Sequence, residues 1–253
     1  ANPTVKFSKS LTPQTAEEKE KMANVPYRQL VGALLYTLQT RPDCAVAINE
    51  LTRYMENPGR AMWTAAKRVL RYLKGTKHLR LRLKANRSKR SRSRTTAYVD
   101  ASHADDPDSR RSRCGYIVYY NGSPIVWRSL MQRRVALSTA ESEYRALTYA
   151  VKDIIWLRNI LKELGREESR PTSIYEDNRA SIAMVDNPIV SGRNKFIELD
   201  CHFIRDHREQ GHIRMREIDS ESQHADILTK NLDRTKYIRH RDSLLIGNRP
   251  TGD

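Results

Sequence analysis

Leu137-Ser138-Thr139-Ala140-Glu141-Ser142-Glu143-Tyr144-Arg145-Ala146-Leu147 decides how this chain is read. The stretch opens a predicted amphipathic helix from about Ser138 to Leu164, stopped by Gly165. Its apolar positions Leu147, Ala150, Val151, Ile154, Ile155, Leu157 and Leu161 favour helix over strand. It lies between two aspartates that end strand patterns, Asp100 after Tyr98-Val99 and Asp177 after Ile174-Tyr175-Glu176. A further acid, Asp226, sits inside His224-Ala225-Asp226-Ile227-Leu228. Four carboxylates at strand ends and helix starts can converge beside one sheet.

Around this stretch, short β-branched and aromatic runs at 95–99, 115–120 and 124–127 read as strands. Asn121-Gly122 joins the last two as a hairpin, because both residues tolerate positive φ. A strand at 171–176, a short helix to about Val185, a helix around 197–208, a strand at 212–218 and a last helix from His224 follow. The order β-β-β-α-β-α-α-β-α fits an α/β fold, a mixed sheet with helices on its faces. Upstream, Pro26 opens a helical pattern through Leu30, Val31, Leu34 and Leu35. A second helix follows Pro42, burying Val46, Ile48, Leu51 and Tyr54, and a third runs from about Ala61 to Leu73 and stops at Gly75. These three form a small α-helical unit, too polar to hold a strong core alone. The expected organisation is an extended lead over 1–22, a helical connection with a basic joint over 23–94, a sheet domain over 95–235 and a tail over 236–253.

A formal charge of +16 and a pI near 9.9 point to a polyanionic partner, of which nucleic acid is the commonest. A membrane is disfavoured, since no long apolar run occurs. Between Lys67 and Arg94 stand thirteen basic residues and no acidic one. Lys67, Arg68, Arg71, Lys74, Arg80, Arg82 and Lys84 are the candidate phosphate contacts, and the Ser/Arg-rich 86–94 tract reads as a flexible linker. Such a run can also be plain solvated surface. Cys44, Cys114 and Cys201 are far apart, and no pair has zinc-ligand spacing, so reduced thiols and no zinc are expected. The start at Ala1, without Met or a targeting segment, reads as a piece of a longer polypeptide.

Asp100, Glu143, Asp177 and Asp226 suit two-metal phosphodiester hydrolysis. In that chemistry two divalent ions about 3.5–4 Å apart stabilise the attacking and leaving oxygens of an in-line displacement. Magnesium, a hard ion held by a few carboxylates, is the expected metal, and manganese can substitute. Taken singly, Glu143 and Asp226 also read as helix-start acids, Asp177 as an N-cap and Asp100 as part of a solvated turn. The ordered set is what points to chemistry.

Three segments carry a resemblance. The first is Tyr27-Arg28-Gln29-Leu30-Val31-Gly32-Ala33-Leu34-Leu35-Tyr36 with Thr40-Arg41-Pro42-Asp43, then Ala65 to Thr76. The second runs from Tyr98 through Leu137–Leu147 to Glu176-Asp177-Asn178. The third is Ile197 to Arg205 together with Ala225-Asp226-Ile227-Leu228-Thr229-Lys230. Over about four fifths of its length the chain resembles the end of the Pol polyprotein of copia-type retrotransposons. That is the region downstream of the reverse transcriptase palm, followed by the ribonuclease H domain.

The resemblance implies a ribonuclease H-like five-stranded mixed sheet preceded by the helical subdomain. Its active-site acids would be Asp100, Glu143, Asp177 and Asp226. Glu143 is preferred to Glu141 because Tyr144-Arg145-Ala146-Leu147 matches the apolar pattern after the catalytic glutamate. Glu141, two residues away, cannot share its helix face. The family usually carries an aspartate and a tryptophan where this chain has Ser102 and His103, and a histidine where Phe196 stands. No catalytic histidine is assigned; His224, although it precedes Asp226, reads as a surface residue.

The implied activity is magnesium-dependent cleavage of the RNA strand of RNA–DNA hybrids, leaving 5′-phosphate and 3′-hydroxyl ends. The implied partner is the upstream polymerase domain of the same polyprotein, in a cytoplasmic retrotransposon particle or the nucleus. No Tyr-x-Asp-Asp motif occurs, so this segment alone does not polymerise. The competing reading is a catalytically silent hybrid-binding or scaffold module. Integrase-like strand transfer is disfavoured, because that chemistry normally uses three acids and a zinc-binding segment, for which this chain has no ligands.

Overall fold

Polar residues with a good cap are enough to start the first helix. The computed structural model describes residues 6–83, 94–186 and 198–247. Helix α1 (Ala16–Ala23) buries nothing, yet Thr15 accepts from Glu18 N while the Glu18 carboxylate accepts from Thr15 N. This capping box satisfies two orphan amides at once and makes a helix inside the predicted extended lead.

Helices α2 (Tyr27–Thr37), α3 (Ala45–Thr52) and α4 (Arg60–Gly75) follow where the apolar spacing put them. Their buried faces, including Tyr27, Val31, Leu34, Ile48, Leu51, Met62 and Ala66, close one cluster. That core is larger than the polarity of the three segments suggested. Each fully buried Leu, Ile or Met in it contributes about 1.5–3 kcal/mol. Arg41 adds a bidentate pair to buried Asp43 (2.8 and 2.9 Å), whose Oδ2 also accepts from Tyr72 on α4 at 2.7 Å.

A short strand, β1 (Leu79–Leu81), precedes residues 84–93, so Lys84 and most of the predicted linker lie outside the described residues. Then come β2 (Thr95–Ser102), β3 (Arg113–Tyr120), β4 (Ser123–Met131), α5 (Thr139–Glu163), β5 (Thr172–Glu176), α6 (Arg179–Asp186), α7 (Glu198–Glu209) and β6 (Ile213–Glu217). The sheet order is β4-β3-β2-β5-β6. The β4-β3-β2 ladders are antiparallel, and β2-β5 and β5-β6 are parallel. This is an α/β, ribonuclease H-like mixed sheet. Asn121 (φ 52°) and Gly122 (φ 75°) make the predicted hairpin, and Gly165 (φ 67°) stops α5.

One face of the sheet packs on α5 through Ala97, Val99, Tyr116, Val118, Leu147, Val151 and Ile174. The other buries Ile117 and Tyr119 against Ala45, Ile227, Leu228, Leu244 and Leu245. The helical unit therefore shares a core with the sheet, and Trp127 Nε1 donates to Leu38 O (2.9 Å) across the same seam. Buried Arg113, on β3, pairs with Glu50 of α3.

The C-terminal region differs from expectation. His224–Leu228 is a 3₁₀ turn, and the next helix, α8 (Arg234–Leu244), is capped by Asp233, which accepts from Thr235 N and Lys236 N. Strand β7 (Leu245–Gly247) then pairs antiparallel with β1. The described part of the predicted tail is thus structured. No helix among the described residues is long and apolar enough to cross a membrane.

Candidate metal centre

Period-two alternation decides where the first acid points. On β2, Ala97, Val99 and Ala101 enter the core under α5. Asp100 has the opposite parity and faces the turn after Leu228, where Thr229 Oγ1 donates to its Oδ2 and Lys230 Nζ lies 2.9 Å from its Oδ1. Asp100 is only 1% exposed.

The two glutamates of the α5 start have separate tasks. Ser138 caps the helix by accepting from Glu141 N at 3.1 Å. Glu141 in turn accepts from Leu137 N at 2.8 Å and pairs with Arg145 at 2.6 Å. Glu141 is occupied by the helix terminus, and Glu143 turns inward, 3% exposed. We therefore expect Ser138→Ala to lower stability by about 1 kcal/mol with the acids left in place, read as a drop in melting temperature.

Asp177 follows the end of β5, and its Oδ2 accepts from the Ser220 hydroxyl at 2.6 Å. Ligand-capable oxygens of Asp100, Glu143 and Asp177 all lie within 4.8 Å of one another. Asp226 is not one of this group. Its Oδ1 is 2.7 Å from Lys230 Nζ and its Oδ2 is 2.7 Å from Lys236 Nζ, so Lys230 stands between it and Asp100.

Glu176 is a residue that sequence reasoning passed over. It shares parity with Ile174, which packs under α5, so it is driven into the same interior and is fully buried. One of its oxygens accepts from Asn178 N at 3.0 Å. The signal was available: a carboxylate on the apolar face of a central strand.

The donors are all carboxylate oxygens, which suits a hard divalent ion. Glu143 Oε2 and Glu176 Oε2 are buried with no hydrogen-bond partner among the described residues. Such an anionic surplus is costly unless a cation satisfies it, and the residues fit a divalent metal on that ground.

Burial, with Lys230 opposing it and Asp226 reinforcing it, pushes Asp100 up to about 6. Burial first, and then the charges of Glu176, Asp100 and Asp177, hold Glu143 well above the usual carboxylate range. Burial, with Asp100 and Asp177 adding to it, does the same to Glu176. The folded Asp100 keeps its proton more tightly than an unfolded aspartate (3.8), so its contribution to stability is full below about pH 4. That contribution is lost as pH rises through about 6. In metal-free protein the melting temperature of wild type minus that of Asp100→Asn should fall across this window. A flat difference would show that Asp100 is not titrating there.

Lys67, Arg68, Arg71 and Lys74 are exposed along α4, Arg80 is exposed on β1, and Arg82 donates its backbone N–H to Leu244 O. A cleft of about 1100 Å³ runs between α4 and the turn carrying Lys230, lined in part by Arg53, Arg60, Arg68, Arg71 and Lys230. His224 is not a free surface side chain. It stacks on Tyr98 (centroids 4.3 Å apart), its Nδ1 lies 3.2 Å from Tyr119 Oη, and burial, with His240 beside it, pushes it down to about 4. Cys44 and Cys114 are buried and unpaired, and Phe196 falls outside the described residues.

A ribonuclease H-like sheet with three convergent carboxylates defines the class. No family model matches the chain. Over 234 residues, 92% of its length, it is 38% identical to the retrovirus-related Pol polyprotein from transposon TNT 1-94 of Nicotiana tabacum, covering 17% of that protein. It is 41% identical over 211 residues, 83% of its length, to the retrovirus-related Pol polyprotein from transposon RE2 of Arabidopsis thaliana, covering 14% of that protein. Among solved structures, LC11-RNase H1 isolated from compost is similar, with a TM-score of 0.43 and 15% identity over 54% of this chain and 92% of that one. The chain is homologous to a segment of the retrovirus-related Pol polyproteins of plant copia-type transposons and spans less than a fifth of the length of these two.

Proposed function

We propose that this segment is a divalent-metal-dependent ribonuclease H, cutting the RNA strand of RNA–DNA hybrids during reverse transcription of a copia-type element. The observation that carries the reading is the convergence of Asp100, Glu143 and Asp177 within 4.8 Å, with a buried, unpartnered oxygen on Glu143. These three would hold the metal, and Asp226 lies behind Lys230 on the far side of Asp100. Bound magnesium or manganese supplies charge for the attacking and leaving oxygens and lowers the pKa of the attacking water. Burial of Asp100 and Glu143 keeps bulk water from competing for those oxygens. Lys67, Arg71 and Lys74 form one stripe on α4, and with Arg68 and Arg80 they would track phosphates, so that recognition rests on duplex shape and 2′-hydroxyls rather than sequence. The polymerase domain upstream in the same polyprotein is the natural partner for gripping the duplex, inside a cytoplasmic particle or the nucleus.

A labelled RNA–DNA hybrid incubated with the chain and magnesium tests this. Wild type should release fragments with 5′-phosphate and 3′-hydroxyl ends. Asp177→Asn should bind the hybrid at similar affinity and cut it slower by on the order of 10³-fold. Tight binding by wild type with no cutting in magnesium or manganese would leave the silent scaffold reading in its place.

A further inference from the structure

The acids of this centre do not share their oxygens evenly. Glu143 keeps a buried oxygen with no partner, whereas both oxygens of Asp226 lie 2.7 Å from ammonium groups, Lys230 on one and Lys236 on the other. Both oxygens of Asp100 are engaged as well, one by Thr229 and one by Lys230 at 2.9 Å. Distances of 2.7–2.9 Å are those of charge-assisted hydrogen bonds, so a positive charge already sits between Asp100 and Asp226. Its carrier is not locked in. The Lys230 side chain is 38% exposed, while the carboxylates it bridges are 1% exposed. A flexible four-carbon stem with one side open to the cleft can swing its head into water.

We infer that the Lys230 ammonium fills the second cation position of this centre, between Asp100 and Asp226. The free chain then takes up one divalent ion at Asp100, Glu143 and Asp177, and a second only as Lys230 withdraws. The inference rests on the reading of those three acids as metal ligands. Repulsion between ammonium and an incoming divalent ion, both on Asp100, separates the two loading steps. Lys236 continues to neutralise Asp226 when Lys230 leaves, so Asp226 can exchange one cation for another without being stranded.

Manganese titration of the full chain, read by electron paramagnetic resonance of free Mn²⁺ and by calorimetry, tests this without reference to cleavage. Wild type should bind one ion well before a second. Lys230→Met should bind two, the second about tenfold or more tighter than in wild type. The double variant Lys230→Met, Asp226→Asn should return to one. A second measurement needs no variant. Acetylation of Lys230 in wild type, mapped by peptide mass spectrometry, should be slow in metal-free and singly loaded protein and rise in step with the second Mn²⁺. Two ions of similar affinity in wild type, with Lys230 modified equally at every Mn²⁺ concentration, would overturn the inference and leave the metal-centre reading standing. No Mn²⁺ uptake by wild type or either variant would remove both.

Discussion

Glu143→Gln should melt higher than wild type in the absence of metal and cut hybrid far more slowly. Glu143 is 3% exposed, leaves one oxygen without a partner and faces the charges of Glu176, Asp100 and Asp177, which Lys230 opposes. A glutamine of the same shape removes one buried negative charge and brings an amide that can donate to the neighbouring acids. Relief of that repulsion is worth roughly 1–3 kcal/mol, or about 2–4 °C of melting temperature per kcal/mol for a chain of this size. On the proposed function the same change removes a metal ligand, and cleavage should fall by on the order of 10³-fold or more. Differential scanning with chelator present, followed by the hybrid assay, separates the two effects. A lower melting temperature would make Glu143 a structural residue rather than one held under tension for binding a cation.

Gly115→Val should injure stability and chemistry together. Gly115 pairs with Asp100 across the β2-β3 ladder and faces the turn that follows the 3₁₀ stretch. A Cβ there would lie 2.7 Å from Leu228 Cβ and 2.8 Å from Thr229 Cγ2, with the Leu228 carbonyl carbon at 3.1 Å. Backbone as well as side chain must move, at a cost of roughly 1–3 kcal/mol. The turn would lift off the sheet and carry Thr229 and Lys230 away from Asp100, and misplacement by about 1 Å near reacting groups is worth on the order of 10²-fold in rate. Gly32→Ala on α2 is the matched control, because a Cβ there meets nothing within 4 Å. It should stabilise by up to about 1 kcal/mol, since alanine is the better helix former. If Gly115→Val cuts at the wild-type rate, the packing of this turn does not position Asp100.

Where local rules are strong, the chain is legible. Asn121-Gly122 announces its hairpin, Gly165 stops α5, and the apolar spacing from Leu147 to Leu161 places that helix on the sheet. The preference for Glu143 over Glu141 came from the resemblance; in the fold Glu141 accepts from Leu137 N at the helix start while Glu143 is buried. Helix α1 was missed because no apolar stripe marks it, although Thr15 and Glu18 stand at capping-box spacing. Helix α8 has almost no amphipathic face, and β7 exists only because β1, more than 160 residues earlier, supplies its partner. No window of sequence contains that information. The lysines on Asp226 were unreadable for a related reason. Lys230 lies one helical turn along, but Asp100, the acid it also bridges, arrives from the far side of the fold.

Consider last the two-stranded ladder of β1 and β7. It pairs residues that precede the sheet with residues that follow it, with Gly247 so near Leu79 that a Cβ would lie 2.8 Å from its Cδ2. Two stretches more than 160 residues apart must therefore change in concert, since a side chain at Gly247 is tolerated only with a smaller residue opposite it at Leu79.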